Sequence, residues 1–151
     1  MKKTALFEKF DEDKIRQIIA LLDQPVLARL ATANPKTRQP HVVPLWYLWD
    51  GESVWISGFG NTRKYKDLIA NPKCAILVEP VDPKESKLQA VLFEGYADVV
   101  KEDREMIEQK STQIYLRYLG EEGIQDRDPQ SWIRDPQNLV VRLTPAKVYA
   151  W

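Results

Sequence analysis

Cysteine and histidine are almost absent from this sequence, whose 151 residues include one of each. A single cysteine excludes a disulfide within the chain and is typical of proteins kept in a reducing compartment. His41 is the single histidine, so histidine-rich metal sites are excluded. A Ser-His-Asp triad that has a further histidine available as a base is excluded as well. The sequence therefore predicts neither a disulfide-stabilised domain nor a histidine-based metal site.

Net charge and long apolar runs are also lacking. Lys and Arg number 22 and Asp and Glu number 22, so no net field would recruit nucleic acid or an anionic membrane. No apolar run approaches the roughly 20 residues that span a bilayer. Glu8 and Asp11 precede any apolar stretch, which argues against a signal peptide. We expect a cytoplasmic protein with one domain, 1–151, and neither a nucleic-acid nor a membrane partner.

Hydrophobic periodicity predicts short strands with a few helices between them. Helices are expected from the cap Asp11, over Arg63–Ala70 and over Asp103–Leu119, while Glu121–Gln137 is predicted to be irregular with one turn around Trp132. The predicted strands are Val26–Thr32, His41–Trp49, Ser53–Ser57, Cys74–Val78, Ala90–Val100 and Asn138–Leu143, with Pro145 separating the last from Val148–Trp151. Short strands without a βαβ repeat predict a small antiparallel barrel with peripheral helices.

The strand His41–Trp49 is apolar on both faces, whereas a half-exposed antiparallel strand would alternate apolar and polar residues. Both faces must therefore be covered, one by the barrel interior and the other by a ligand, a helix or a second subunit. Pro44 has no amide proton for a ladder, which predicts an edge or a bulge and free backbone groups at that point.

The stretch 56–64 joins a strand to a helix through a glycine-containing turn, and it allows two interpretations. A helix N-terminus attracts anions, and Thr62, Arg63 and Lys64 add a hydroxyl, a planar cation and a compact cation. That combination suits a phosphate monoester. The simpler interpretation is a Thr cap followed by two solvated basic residues.

Five short motifs in order resemble the flavin-binding split β-barrel family of pyridoxamine 5′-phosphate oxidase-like proteins. They read Ala31-Thr32, Pro44-Leu45-Trp46-Tyr47, Thr62-Arg63-Lys64, Asn71-Pro72 and Glu94-Gly95-Tyr96-Ala97. The resemblance covers Asp11 to Trp151. It implies a mainly β fold with peripheral helices, built on a six-stranded antiparallel Greek-key split barrel. It also implies a homodimer that binds one flavin mononucleotide (FMN) per subunit at the interface and acts as an oxidoreductase.

The resemblance, with the electrostatics of the turn, also assigns cofactor-binding residues. Thr62, Arg63 and Lys64 are the expected phosphate anchor, and Ser57 lies where the family has a hydroxyl residue close to the flavin. The expected slot for the flavin ring is formed by Val43, Pro44, Leu45 and Trp46. Gln89 is a weaker candidate, because it lies six residues before Gly95 where the family has five, and one residue of offset reverses the face of a strand.

Several alternatives stay open at this point. The C-terminal segment 142–151 lacks the Arg-x-His-x-Arg pattern of the true oxidases, which argues against vitamin salvage. Pro44-x-Trp46-Tyr47 resembles the small flavin or deazaflavin reductases of the superfamily. A deazaflavin coenzyme needs a basic groove, which Arg29, Lys36 and Arg38 could supply if they do not simply face water. A flavin carrier without turnover is another alternative, and a haem-handling barrel is disfavoured because one histidine provides poorly for axial ligation. The catalytic residues, and the roles of His41 and Trp151, are not assigned.

Overall fold

The computed structural model describes residues 5–151 and contains one seven-stranded sheet in which every neighbouring pair is antiparallel. The strands are β1 (Ala28–Ala33), β2 (Pro40–Leu45), β3 (Leu48–Trp49), β4 (Val54–Phe59), β5 (Lys73–Val78), β6 (Val91–Val100) and β7 (Asn138–Ala150). Their order across the sheet is β2-β1-β5-β6-β7-β4-β3.

Four α-helices surround the sheet: α1 (Glu12–Leu22), α2 (Arg63–Ala70), α3 (Arg104–Gly123) and α4 (Arg127–Arg134). Asp11 caps α1 as expected, because its side chain accepts a hydrogen bond from the Lys14 amide at 2.7 Å. In α3 the helical backbone is interrupted at Gly120, whose φ is 75°. A positive φ at glycine is a common way to end a helix, and it marks the predicted end at Leu119, but the helical segment resumes and runs to Gly123, so α3 is longer than predicted.

The sheet curls into a barrel because its two edge strands are consecutive in the chain. β2 ends at Leu45 and β3 begins at Leu48, yet these strands occupy opposite edges of the sheet. Three residue steps span at most about 10 Å, so the two edges approach each other there. The predicted split-barrel fold is confirmed.

Two apolar clusters hold the fold together. The larger fills the barrel and includes Tyr47, Ile56 and Phe93. The smaller lies outside the barrel, where Trp55 of β4 and Val140 of β7 pack against α3 and α4. Residues 54–56 of β4 and 138–141 of β7 are buried on both faces, so the helices fix the outer surface of that part of the barrel.

Three predictions about the elements need correction. The predicted strand His41–Trp49 divides into β2 and β3 at Trp46 and Tyr47, which raises the strand count from six to seven. Tyr47 is fully buried, and its hydroxyl donates to the Leu22 carbonyl at 2.8 Å, so the chain turns inward there. The helix α4 occupies much of a stretch expected to be irregular.

The third correction concerns Pro145, which lies inside the continuous strand β7 instead of ending a strand. A β-bulge admits it: the register between β6 and β7 shifts between Glu94 and Gly95, and Gly95 lies opposite Pro145. A Cβ atom on Gly95 would lie 2.1 Å from the Thr144 carbonyl oxygen, so only glycine fits at this crossing.

Within residues 5–151, no helix is both long enough and apolar enough to cross a membrane.

Candidate functional site

The N-terminus of α2 lacks the side-chain cap that closes α1 and α3. Asp11 and Asp103 each accept a hydrogen bond from a backbone amide in the first turn of their helices, at 2.7 and 3.0 Å. Thr62 is the N-cap residue of α2 but makes no such bond. Its hydroxyl donates instead to the Phe59 carbonyl at 2.8 Å, so the proton that was expected to be free for a ligand is already used. The first amide groups of α2 therefore remain available to an anion.

Lys64 places a poorly solvated cation beside this open helix end. Its side chain is half-buried, and its ammonium donates to the Thr62 hydroxyl at 3.4 Å. Among residues 5–151, no carboxylate oxygen lies within 4.0 Å of that ammonium. Burial lowers the pKa of Lys64 from its ordinary value of 10.5, because the charged form loses hydration. The ammonium lies over the Tyr65 ring, 4.9 Å from its centroid, and an anion at this position would add a charged partner.

Arg63 is held differently, by a buried acid that sequence reasoning missed. Its Nε lies 3.6 Å from the carboxylate of Asp67, whose side chain is only 5% exposed. Asp67 also accepts a hydrogen bond from Thr32 at 3.3 Å. The two residues are four apart on α2, a spacing that brings side chains together on a helix, so the ion pair could have been foreseen. Arg63 is the first residue of α2, beside Lys64. Its side chain is half exposed and is oriented by Asp67.

Ser57 belongs to a closed ring of three polar side chains. Its hydroxyl donates to Asn138 Oδ1 at 3.0 Å, Asn138 Nδ2 donates to Ser111 Oγ at 3.0 Å, and Ser111 lies 2.8 Å from Ser57. An amide oxygen can only accept, so the Ser57 proton is directed to Asn138 and Ser111 donates to Ser57. Ser111 and Asn138 are far from Ser57 in sequence, and no local pattern reveals them.

The predicted slot Val43, Pro44, Leu45 and Trp46 has two faces. Val43 and Leu45 pack against the barrel core, whereas Pro44 is exposed on the outer face. Because β2 pairs with β1 alone, its other edge leaves main-chain groups open, and Pro44 lies on an edge strand as a residue without an amide proton requires. Trp46 stacks on Tyr118 with ring centroids 4.8 Å apart and planes 5° apart.

Gln89 is not brought to the other predicted site residues within this chain. The backbone N–H of Gln89 donates to the Trp151 carbonyl at 2.6 Å, next to the end of β7. Ser57 and the turn before α2 lie beside the start of β7. The 13 residues of β7 correspond to about 40 Å of extended strand. A β-bulge before Gly95 on the same strand would reverse the face of Gln89. The bulge between β6 and β7 does not do so, because its extra residue, Ala146, lies on β7 and β6 keeps its alternation.

The residues around α2 fit a phosphate group. The helix end is uncapped, the half-buried Lys64 has no carboxylate partner in the described part of the chain, and Arg63 lies at the same end, so charge and donors are offered to one small anion. A Cβ atom on Gly60 in the preceding turn would lie 2.9 Å from Leu139 Cδ2, so a side chain there would require Leu139 to shift. The site is therefore able to hold the phosphate of a nucleotide.

The antiparallel split barrel, with an uncapped helix end after β4, defines a class of proteins, and the comparisons identify the family. The chain belongs to the pyridoxamine 5′-phosphate oxidase family, whose sequence model matches residues 12–151. A search of functionally curated proteins gave no match.

Solved structures share the fold at low sequence identity. A conserved hypothetical protein from Mycobacterium tuberculosis is 23% identical with a TM-score of 0.73, covering 100% of this chain and 89% of its own. An F420 reductase is 24% identical with a TM-score of 0.67, covering 86% and 94%. HutZ, a haem storage protein from Vibrio cholerae, is 20% identical with a TM-score of 0.71, covering 90% and 93%. At these identities the likeness shows the fold alone.

Proposed function

We propose that this protein is an FMN-binding flavoprotein, a cytoplasmic homodimer that acts as an oxidoreductase on a small organic molecule. The observation that carries the proposal is the open N-terminus of α2 beside the half-buried ammonium of Lys64, which has no carboxylate partner among residues 5–151. Membership of the pyridoxamine 5′-phosphate oxidase family supports a flavin in particular. Bound FMN would supply hydride or electron transfer, which no side chain of the protein provides.

The protein's own residues would bind and orient the cofactor. Lys64 and Arg63 would neutralise the phosphate, and the amides of the first turn of α2 would donate to its oxygens. The open edge of β2 offers main-chain groups for the polar edge of the ring, while the exposed ring of Pro44 offers an apolar surface.

A second copy of the chain would complete the site. Outward-facing apolar residues continue across four strands of the sheet, and by register they are Val42, Ala31, Ala75, Leu77 and Leu92. The side chain of Val42, on the edge strand β2, is 63% exposed. A two-fold interface on this face would bury the surface, and it would give Gln89 a route to the partner's flavin that its own chain does not offer.

The proposal favours FMN over a deazaflavin coenzyme. Of the three residues expected to form a basic groove, Arg29 is paired with Glu79 at 3.1 Å, which neutralises part of its charge. Lys36 and Arg38 are exposed in the turn between β1 and β2. The structural neighbours include an F420 reductase and a haem storage protein, so a deazaflavin coenzyme and haem are the alternative outcomes of the first measurement. Visible absorption and mass of the co-purified cofactor separate the three, and reduction by nicotinamide cofactors separates an enzyme from a carrier.

The phosphate site is tested by titrating FMN and riboflavin, which share a ring but differ in the phosphate. Lys64→Ala should weaken FMN binding by about 1.5–3 kcal/mol, the range for charged hydrogen bonds, and leave riboflavin binding unchanged. Lys66→Ala is the matched control, because Lys66 lies on the same helix turn but is exposed. Equal weakening of both ligands, or an equal effect of Lys66→Ala, would show that Lys64 does not bind the phosphate.

A further inference from the structure

A second cleft lies between the end of α3, the start of α4 and the chain segment that joins β2 to β3. Its volume is about 490 Å³, within the range of small-molecule sites. Two indoles, Trp46 and Trp132, line it together with Leu119 and Pro129. Trp132 is 38% exposed although it is large and apolar. The aromatic walls of this cleft are better suited to contact with a flat ligand than to contact with water.

The walls of the cleft are fixed by aromatic contacts behind them. The ring of Tyr115 lies edge-on to both indoles, with centroids 5.8 Å from Trp46 and 6.0 Å from Trp132. The stacked partner of Trp46, Tyr118, is itself fixed, because its hydroxyl donates to the Val26 carbonyl at 2.7 Å. Gln130 donates to the Ile124 carbonyl at 2.8 Å and ties α4 to the end of α3. The two indoles are therefore held in place before any ligand arrives.

The mouth of the cleft is acidic. Asp126, Arg127 and Asp128 line it, and Glu121 and Glu122 are exposed just before them. The segment 121–128 therefore carries four carboxylates and one guanidinium. Neither Asp126 nor Asp128 forms an ion pair within residues 5–151. The field at the mouth favours a cation, and the π faces of two indoles favour it as well.

We propose that this cleft binds a planar aromatic cation of one or two rings. The site goes beyond the proposed function, because its walls stand whether or not a flavin is bound. Trp46 belongs to both regions, so a ligand here would lie beside the predicted flavin slot. The flat rings of Trp46 and Trp132 favour a planar ligand. The carboxylates of Asp126 and Asp128 favour a positive charge on it.

Three probes with one ring system test the proposal on the protein as purified: N-methylquinolinium, neutral quinoline and anionic quinoline-4-carboxylate. Binding is followed by the indole N–H resonances of the five tryptophans, each assigned by a Trp→Phe variant. N-methylquinolinium should shift Trp46 and Trp132 in a saturable way, with quinoline weaker and the carboxylate weakest. The buried indoles of Trp49 and Trp55 should not move, and neither should Trp151, which is 51% exposed and reports non-specific stacking.

Matched variants separate the walls from the charge. Trp132→Ala should weaken N-methylquinolinium about tenfold, whereas Trp151→Ala should have no effect. The double variant Asp126→Asn and Asp128→Asn should reduce the preference for the cation over quinoline about threefold, with Glu85→Gln, an exposed residue that does not line the cleft, as the control. Equal shifts at Trp151, no charge preference, or a cleft that stays silent to all probes would each overturn the proposal. None of these results depends on flavin titrations, so the two proposals fail separately.

Discussion

The two cations at the start of α2 differ in what their removal leaves behind. Arg63→Ala would leave the buried carboxylate of Asp67 without its charged partner, and this should cost about 1–3 kcal/mol of stability in addition to any loss of FMN binding. Lys64→Ala removes a half-buried charge that has no carboxylate partner within residues 5–151, so stability should stay constant or rise. Urea unfolding without ligand distinguishes the two variants. A larger loss for Lys64→Ala than for Arg63→Ala would contradict this assignment.

The lowered pKa of Lys64 predicts how phosphate recognition depends on pH. A lysine whose folded pKa lies below 10.5 loses its charge at a lower pH than a solvated lysine does. The preference for FMN over riboflavin should therefore decline as the pH rises through this lowered pKa, before ordinary lysines titrate. Lys64→Arg should keep the preference at alkaline pH, because arginine stays charged. Titration of both ligands between neutral pH and pH 10 checks this, and a decline that is identical in Lys64→Arg would exclude Lys64 as its source.

At the scale of the element, the turn between β3 and β4 depends on Asp50. Its carboxylate accepts hydrogen bonds from Trp55 Nε1 at 2.8 Å and from the amides of Glu52 and Ser53 at 2.8 and 2.7 Å. Burial opposes ionisation of Asp50, but these bonds outweigh it and lower its pKa below the ordinary 3.8. Asp50→Ala should cost about 1–3 kcal/mol of unfolding free energy and leave FMN affinity unchanged, because the turn lies away from α2.

The pH dependence of that stability follows from the same bonds. A folded pKa below the unfolded one gives stability that is present above pH 3.8 and is lost as the pH falls through the folded pKa. The difference in unfolding free energy between wild type and Asp50→Asn should therefore shrink in strong acid. Urea unfolding at pH 6 and pH 3 measures it; an unchanged difference, or loss of FMN affinity without loss of stability, would show that the turn has another role.

Local patterns predicted those elements whose causes are local. The helix Arg63–Ala70 was predicted with its observed ends, because its cap residue and the Asn71-Pro72 that follows it mark them in the sequence. Pro145 was misjudged because the residue that accommodates it, Gly95, is on another strand. The anchor residues of the candidate site could be named from sequence, whereas Asn138 and Ser111 could not, since only the packing of α3 on the barrel brings them to Ser57. The features that could not be predicted are those that depend on contacts between residues distant in sequence.

At the scale of the whole molecule, the uncovered outer face of the sheet predicts a dimer. The C-terminal half of the predicted two-faced strand is covered, because Trp46 and Leu48 pack against the cluster beneath α3, but Val42 and Pro44 remain exposed. A folded monomer would present this apolar face to water, and a two-fold interface would remove it. Sedimentation should show a dimer at micromolar concentration, and Val42→Asp should shift it towards monomer by placing two like charges at the interface.

The matched control for that substitution is Val81→Asp, at a residue that is 86% exposed on the loop after β5 and outside the apolar face. Val81→Asp should remain dimeric with unchanged FMN affinity. If the flavin lies at the interface, Val42→Asp should lose FMN affinity together with dimerisation, and dilution of the wild type should reproduce the loss. A Val42→Asp protein that is monomeric but binds FMN as tightly as the wild type would place the cofactor within one chain, and a wild type that is a stable monomer at micromolar concentration would contradict the dimer itself.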